Sequence, residues 1–324
     1  MAPEAGTRTA FGTVTETDAG DLVAPAEEPS RPRSRARWKG LIGVAGLAGL
    51  TFAAVAAARE ADTQTLPGAG PLAAALVLQL IAFMFAARAW VSLFPPTADR
   101  RGLAAGLYAS QLTKYLPAGG FVQVASQVAL ASQYGGAAAA ALRLPVFSLC
   151  SVVAGASLGS LVAFDSDLPA WGRALAACGV LSVGLLHRSI MAGVLGLARR
   201  VVRRVPDAAE LPPQRAILMS YGFAVGNLAA FATAFTVLLG DLASIDPVTA
   251  GAALSAGWAA GYLVLFIPSG LGVREAVLLA ALPNLAAAPL LAASVAHRLL
   301  GLLAEAVLAG TTQLRAVRAR RRSR

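Results

Sequence analysis

Four charged side chains lie within or beside long apolar runs of this sequence, where charge is costly. Arg274 and Glu275 are neighbours, and Arg298 and Glu305 lie seven residues apart in a later run. A charge at membrane depth is costly unless it is paired or hydrated, so it points to a functional site. The sequence therefore predicts a site for an anion, and in a membrane the anion of matching depth is a lipid phosphate.

Two further arginines, Arg88 and Arg143, stand near the ends of other apolar runs and make the charge excess cationic. They either contribute to the anion site or extend their long stems toward the lipid headgroups. Arg298 and Glu305 have an alternative as well, since each could pair with a partner for structure alone.

Two short motifs interrupt the apolar runs, at 114–120 and at 266–276. The interrupting residues are Pro117, Gly119 and Gly120 in the first motif and Pro268, Gly270 and Gly272 in the second. Proline removes a backbone donor and glycine weakens a helix, so each motif predicts a broken helix. A restarting helix also directs free N–H groups and partial positive charge into the break. Two such breaks in corresponding halves indicate a binding site between them, although the first alone could be an ordinary helix stop.

Glutamines follow the first break and are candidates for the same site. Gln123 and Gln127 are four residues apart, so they share one face of a helix. Their side chains either contact a substrate or hold neighbouring helices together through hydrogen bonds.

The sequence contains no pattern of residues that is typical of a catalytic, nucleotide-binding or metal-binding site. It therefore predicts a protein that is not an enzyme and needs no cofactor or metal. His187 and His297 lack metal-ligand spacing to each other and to the two cysteines. The Gly-rich stretch before Arg274 lacks the lysine of a phosphate loop. A weaker alternative is a membrane-embedded transferase that uses Glu275 or Glu305 as a base.

The composition is that of a membrane protein, with a mean hydropathy of +0.65, 57% hydrophobic and only 14% charged residues. The net charge of +10 does not indicate nucleic-acid binding, because the basic residues cluster in short flanks beside apolar runs. The apolar runs are too long for soluble core helices, so the predicted fold class is an all-α, polytopic membrane helix bundle.

Six full spans are predicted, together with two re-entrant hairpins around the breaks. The spans are 41–58, 72–94, 144–164, 169–186, 216–239 and 288–311. The first hairpin, 102–134, and the second, around Pro268, would enter from opposite sides, as an inverted repeat requires. Eight crossings with two broken helices fit the same sequence.

Basic flanks set the predicted domain boundaries and orientation. Residues 1–37 are expected to be a disordered tail, 38–312 the membrane domain and 313–324 a basic tail. The positive-inside rule places both termini in the cytoplasm, which predicts a multi-pass protein of the plasma membrane. The most basic loop, 188–215, contains a segment at 190–205 that is typical of an interfacial amphipathic helix.

The motif residues at 114–121 and 266–276, followed by an Ala-rich segment that leads to Arg298-Leu-Leu, resemble a known family. They are similar to the membrane region of lysylphosphatidylglycerol synthases, which occurs alone in flippase-like proteins, and the resemblance covers roughly 40–312. It implies an integral membrane, lipid-flippase-like fold, with the site at the motif prolines, glycines and charges named above. It does not imply synthase activity, because the soluble aminoacyl-transfer domain is absent from this sequence. Ser126-Gln127 also stands where relatives carry a Gly-Arg pair.

The sequence thus predicts a translocase for an anionic or polyprenyl-phosphate-linked lipid, with membrane lipids as partners. The alternative is a non-transporting membrane partner or anchor for a glycosyltransferase or lipid-modifying enzyme. In that case the basic loop at 188–215 would be the docking surface.

Overall fold

The computed structural model describes residues 66–115, 119–134, 136–164, 170–201, 210–263 and 272–322. Every regular element in these ranges is a helix, and no strand occurs among them. The all-α prediction is therefore confirmed for the described part of the chain. All of these residues belong to one compact unit.

Ten α-helices follow one another along the described chain, with short 3-10 turns at several of their ends. They are α1 (Ala69–Ser92), α2 (Arg100–Gln111), α3 (Gly119–Ala131), α4 (Ala137–Gly159), α5 (Ala170–Leu181), α6 (Arg188–Val201), α7 (Gln214–Leu242), α8 (Pro247–Leu263), α9 (Val273–Ala281) and α10 (Ala287–Arg322). The 3-10 turns are Leu112–Tyr115, Ser132–Tyr134, Ser160–Phe164 and Ser182–Leu186.

Four of these helices are long and apolar enough to cross a membrane. They are α1, α4 extended to Val162, α7, and α10 as far as Arg315, with lengths of 24 to 29 residues. At 1.5 Å per residue each is at least about 36 Å long, which exceeds the hydrocarbon thickness of a bilayer. They correspond to the predicted spans 72–94, 144–164, 216–239 and 288–311, so at these four places the structure confirms an apolar helix that is long enough to span a membrane. The last helix continues to Arg322, into the segment predicted as a basic tail.

The predicted span 169–186 has a different form. Helix α5 ends at Leu181, a 3-10 turn follows it, and the axis then bends by 78° into α6. This segment is long and apolar enough to cross a membrane only when it is taken together with α6, and the pair is then a fifth candidate span. The predicted span 41–58 and the tail 1–37 lie outside the described residues.

The two interrupted regions are flanked by short helices. Helices α2 and α3, of 12 and 13 residues, contact each other on either side of 116–118. Helices α8 and α9, of 17 and 9 residues, contact each other on either side of 264–271. None of the four reaches the roughly 20 residues needed to cross a bilayer alone.

Helices α1 and α7 form the central pair of the bundle. The buried Asn227 side chain donates to the Ala82 carbonyl at 2.8 Å, which satisfies a polar group between two apolar helices. Beside it, Phe83 packs edge-on against Phe231 with ring centroids 5.2 Å apart. Gly226 faces the Phe85 ring, which an added Cβ would approach to 3.2 Å. Aromatic packing and one buried amide therefore hold this pair together.

Helices α4 and α8 cross closely because small residues face each other. A Cβ at Gly155 would lie 3.0 Å from the Cβ of Ala259, and one at Gly159 would lie 2.9 Å from backbone atoms of Ala256. Glycines four residues apart on one helix allow such close approach in membrane bundles. Gly155 and Gly159 thus form a Gly-x-x-x-Gly packing motif, which was not predicted from the sequence.

We expect Gly159→Ala to destabilise the protein by about 1–3 kcal/mol, because the new methyl group meets backbone that has to move. Thermal unfolding of the purified protein in detergent measures the change. Gly222→Ala is the matched control, since its Cβ would have no atom of another described helix within 4 Å. A control as unstable as Gly159→Ala would show that the loss does not come from the crossing of α4 and α8.

Candidate functional site

The far side of the second break begins with a glycine in the left-handed conformation. Gly272 has φ 82°, a region that L side chains rarely adopt, and α9 starts at the next residue. The Glu275 carboxylate turns back and accepts the backbone N–H of Gly272 at 3.0 Å. This is a capping interaction, so one of the free N–H groups expected at the restarting helix is already bound to a carboxylate.

Two other donors converge on the same carboxylate, both from α10. Ser294 donates its hydroxyl to Oε1 of Glu275 at 2.9 Å, and Arg298 approaches Oε1 to 2.8 Å. The side chains of Glu275 and Arg298 are 20% and 22% exposed, so the ion pair lies at an accessible edge. The structure therefore brings Glu275 and Arg298 together as an ion pair, which gives Arg298 the kind of structural partner that the sequence had left open.

Arg274 lies deeper than its neighbour and contacts a histidine instead of a carboxylate. The residue is 9% exposed, and its Nη2 lies 3.1 Å from Nδ1 of His297. Nε2 of His297 lies 3.0 Å from the Phe231 carbonyl oxygen, which can only accept. His297 must therefore carry its proton on Nε2 and accept from Arg274 through Nδ1, so the ring is neutral.

The position of Arg274 depends on a glycine of α8. A Cβ at Gly257 would lie 3.1 Å from the Arg274 carbonyl oxygen and 3.4 Å from its Cγ. Gly257 thus lets α9 approach α8 closely and lets the Arg274 stem pass between them.

A second ion pair lies beside the first break. Lys114, in the 3-10 turn that ends α2, forms a direct ion pair with Glu305 of α10. Glu305 is 1% exposed and Lys114 is 22% exposed. The ammonium also lies 5.9 Å from the centre of the Phe83 ring, within range of a cation–π contact.

Polar side chains of α2 and α3 surround this pair. Gln123 donates to Oε1 of Gln111 at 3.0 Å, and Lys114 lies 3.5 Å from the same oxygen. The hydroxyls of Thr113 and Ser126 are 3.2 Å apart. Gln123 therefore joins the two helices of the predicted hairpin and extends the polar cluster of the Lys114 ion pair.

Helix α10 carries the partners of both ion pairs on one stripe. The stripe consists of Ser294, His297, Arg298, Gly301 and Glu305, at helical spacings of three and four. Arg298 and Glu305 are seven residues apart, which is about 10 Å along a helix axis. The flanks of the two breaks therefore meet the same face of α10 within a short distance of each other.

A buried glutamine of α1 completes this face. Gln79 is fully buried, and its Nε2 donates to the His297 carbonyl at 2.6 Å. A Cβ at Gly301 would lie 2.6 Å from Oε1 of Gln79, so in this position the amide occupies the space that a side chain at residue 301 would take. Gln79 thus ties α1 to the stripe of α10.

Sequence reasoning missed four residues of this site: Gln79, Lys114, Ser294 and His297. Three of them carried a usable signal, namely a lone amide in an apolar run, a lysine just before a break, and a histidine next to Arg298. Ser294 had none, because a single serine in an apolar helix is common. Gln127 is buried, and its Nε2 has no hydrogen-bond partner among the described residues. Gly119 and Gly120 begin α3. Pro117, Pro268 and Gly270 lie outside the described ranges.

The two arginines at the span ends take no part in the site. Arg143 donates through Nε to the Leu93 carbonyl at 2.9 Å, and its guanidinium lies 4.9 Å from the centre of the Phe94 ring. Arg143 therefore binds the end of α1 and holds it against α4. Arg88 is exposed on the surface of α1.

Within the described ranges, no group of three or more His, Cys, Asp or Glu side chains could hold a metal ion. Comparison with protein-family models and with curated proteins gives no match for this chain. The site has to be interpreted from its own chemistry, which is that of charged groups in a mainly apolar bundle.

We expect Lys114→Met to destabilise the protein by about 3 kcal/mol or more, because it leaves the buried carboxylate of Glu305 without its ammonium. The double variant Lys114→Met with Glu305→Gln should lose much less free energy of unfolding than the two single variants lose in sum. Thermal unfolding in detergent measures all three, with Arg101→Met as the control for removal of an exposed cation. Additive losses would show that the two charges do not stabilise each other.

Proposed function

We propose that this protein moves a lipid with a phosphate-bearing headgroup between the leaflets of the plasma membrane. The observation that carries the proposal is Arg274, a buried guanidinium whose described contact is a neutral histidine. A buried cation is costly unless an anion compensates it. A headgroup phosphate supplies such an anion at the depth where Arg274 lies.

The charges around the stripe of α10 leave one cation in excess. Arg274, Arg298 and Lys114 are positive, while Glu275 and Glu305 are negative. Among the described residues, Glu305 pairs with Lys114 and Glu275 with Arg298, while Arg274 contacts His297 instead of a carboxylate, so the excess positive charge lies at Arg274. Attraction for an anion is strong here because the surroundings are poorly hydrated.

The Glu275 carboxylate shows how an anion is held at this place. It receives a backbone N–H, a hydroxyl and a guanidinium, the donors that a phosphate oxygen also accepts. A phosphate that enters between Arg274 and Arg298 would take over part of this donor set. Glu275 is then an internal anion that keeps the donors occupied when no lipid is bound.

The broken-helix arrangement supports the same proposal. In our proposal α2–α3 and α8–α9 are two re-entrant hairpins that enter from opposite sides, related by an inverted repeat. With six full spans, or with eight crossings, both termini lie in the cytoplasm. Interrupted helices around a midplane site are the usual architecture of secondary transporters. The resemblance of the two motifs to flippase-like proteins points to a lipid as the cargo.

We expect Arg274→Ala to abolish protein-dependent movement of labelled phosphatidylglycerol across vesicle membranes, because the buried positive charge is lost. Purified protein is reconstituted into vesicles, and the outer-leaflet label is quenched chemically to follow transbilayer exchange. Arg88→Ala removes an exposed arginine from the same bundle and should leave the rate unchanged. Arg274→Lys keeps the charge and should retain part of the activity.

Thermal unfolding of each variant separates loss of function from loss of fold. If wild type and Arg274→Ala give the same rate as empty vesicles, the protein does not move this lipid. If Arg274→Ala is folded and as fast as wild type, the buried arginine does not bind the headgroup. Either result overturns the proposal as stated.

We expect Glu275→Gln to bind anionic lipid several-fold more tightly, because the competing internal anion is removed. The measurement is thermal stabilisation of the detergent-solubilised protein by short-chain phosphatidylglycerol, with short-chain phosphatidylcholine as the zwitterionic comparison. Asp241→Asn, which neutralises an exposed carboxylate that accepts from Gly68, is the charge-matched control. Equal or weaker binding by Glu275→Gln would exclude the competing role of Glu275.

A further inference from the structure

Helix α6 exposes a stripe of large apolar side chains on one face. Ile190, Val194 and Leu197 follow one another at spacings of four and three, so they share one helix face. Their exposed fractions are 46%, 64% and 64%, which is high for three large aliphatic side chains in a row. Such a stripe needs an apolar covering.

The orientation of α6 is fixed by packing on another of its sides. Met191 is buried in the largest core cluster, and Leu195 packs against the same cluster. On a helix these two residues lie roughly a quarter to a third of a turn away from the centre of the exposed stripe. The stripe therefore points away from the bundle core in a defined direction.

A single side chain holds the sharp bend that precedes α6. Oε1 of Gln214 accepts the backbone N–H of Arg188 at 2.7 Å, and Nε2 of Gln214 donates to the Leu186 carbonyl at 3.2 Å. The amide thus satisfies one backbone group on each side of the 78° bend. This double contact fixes α6 nearly perpendicular to the preceding helix.

The same contact sets the level of α6 relative to the bilayer. Gln214 is the first residue of α7, one of the four apolar helices long enough to cross the membrane. Because α6 begins in contact with that residue, it lies at the end of a span and not beside its middle. If the segment before the bend crosses the membrane, a helix at this level and bent by 78° from it would run along the membrane surface.

Positive charge lies at both ends of α6. Arg188 begins the helix, Arg199 and Arg200 lie in its last turn, and all three are exposed. None of them lies on the apolar stripe. Arginine stems at an interface bring their guanidinium groups to the phosphate level while apolar neighbours enter the acyl region.

We propose that α6 is an in-plane membrane-surface helix whose apolar stripe enters the lipid and whose arginines bind anionic headgroups of the same leaflet. The inference is independent of transport, since it uses no residue of the Arg274 site. Lipid is the proposed occupant because α6 begins at the end of a span and combines an exposed apolar stripe with flanking arginines, which is the pattern of an interfacial helix.

The test is a depth measurement by spin labelling in vesicles of the full-length protein. Single cysteines at Val194 and at Gly196, on opposite faces of α6, are labelled in a Cys178→Ser background that retains the buried Cys150. Accessibility to oxygen, which concentrates in lipid, is compared with accessibility to a water-soluble nickel complex. The Val194 label should show a several-fold higher oxygen-to-nickel ratio than the Gly196 label.

The charge part of the proposal is tested by lipid composition. In vesicles with about a third phosphatidylglycerol, the Val194 label should lie deeper than in pure phosphatidylcholine, and high salt should reduce the difference. Replacing Arg188, Arg199 and Arg200 by Gln should remove this dependence. Replacing Arg100 and Arg101, the exposed arginines at the start of α2, should leave it unchanged.

Two results would overturn the inference. A Val194 label that is as accessible to nickel as the Gly196 label shows that the stripe faces water, where a protein partner would have to cover it. A depth that is equal in neutral and anionic vesicles, in wild type and in the arginine variant, shows that the arginines do not bind anionic lipid.

Discussion

Burial of charge among apolar helices is the constraint on which the rest of this structure depends. Three cations and two carboxylates lie near one face of α10, and they are held in place mainly by each other, by single polar groups and by close helix packing. Lys114 reaches Glu305, Arg298 reaches Glu275, and a neutral His297 receives the remaining guanidinium of Arg274. The short helices beside the breaks are positioned by these contacts as much as by apolar packing.

Glycine makes this arrangement geometrically feasible at several points. Gly257 admits the Arg274 backbone, Gly301 admits the Gln79 amide, and Gly272 adopts the left-handed conformation from which α9 starts. In a bundle with little hydrophobic driving force between helices, close approach and a few buried hydrogen bonds replace that force. The small residues let the helices approach closely, and the polar side chains then hold the helices together at the same places.

The four long spans could be predicted from the sequence because a run of some twenty apolar residues has few alternatives to a membrane helix. The cost of isolated charge at that depth indicated that Arg298 and Glu305 could each have a structural partner, but the sequence did not predict that Glu275 is the partner of Arg298. The pairing of Lys114 with Glu305 was not predicted either, because their 191-residue separation leaves no periodic signal. The end of α5 at Leu181 was also missed, since the bend after it depends on Gln214, a residue of another helix.

The partners of both ion pairs lie on one continuous helix, and this has a mechanical consequence. A rigid rod cannot present Arg298 and Glu305 to their partners independently. Successive residues of a helix are about 100° apart around its axis. A rotation of α10 by that angle would separate both side chains from their ion-pair partners at the same time. A displacement of α10 would therefore affect the ion pairs beside both breaks at once.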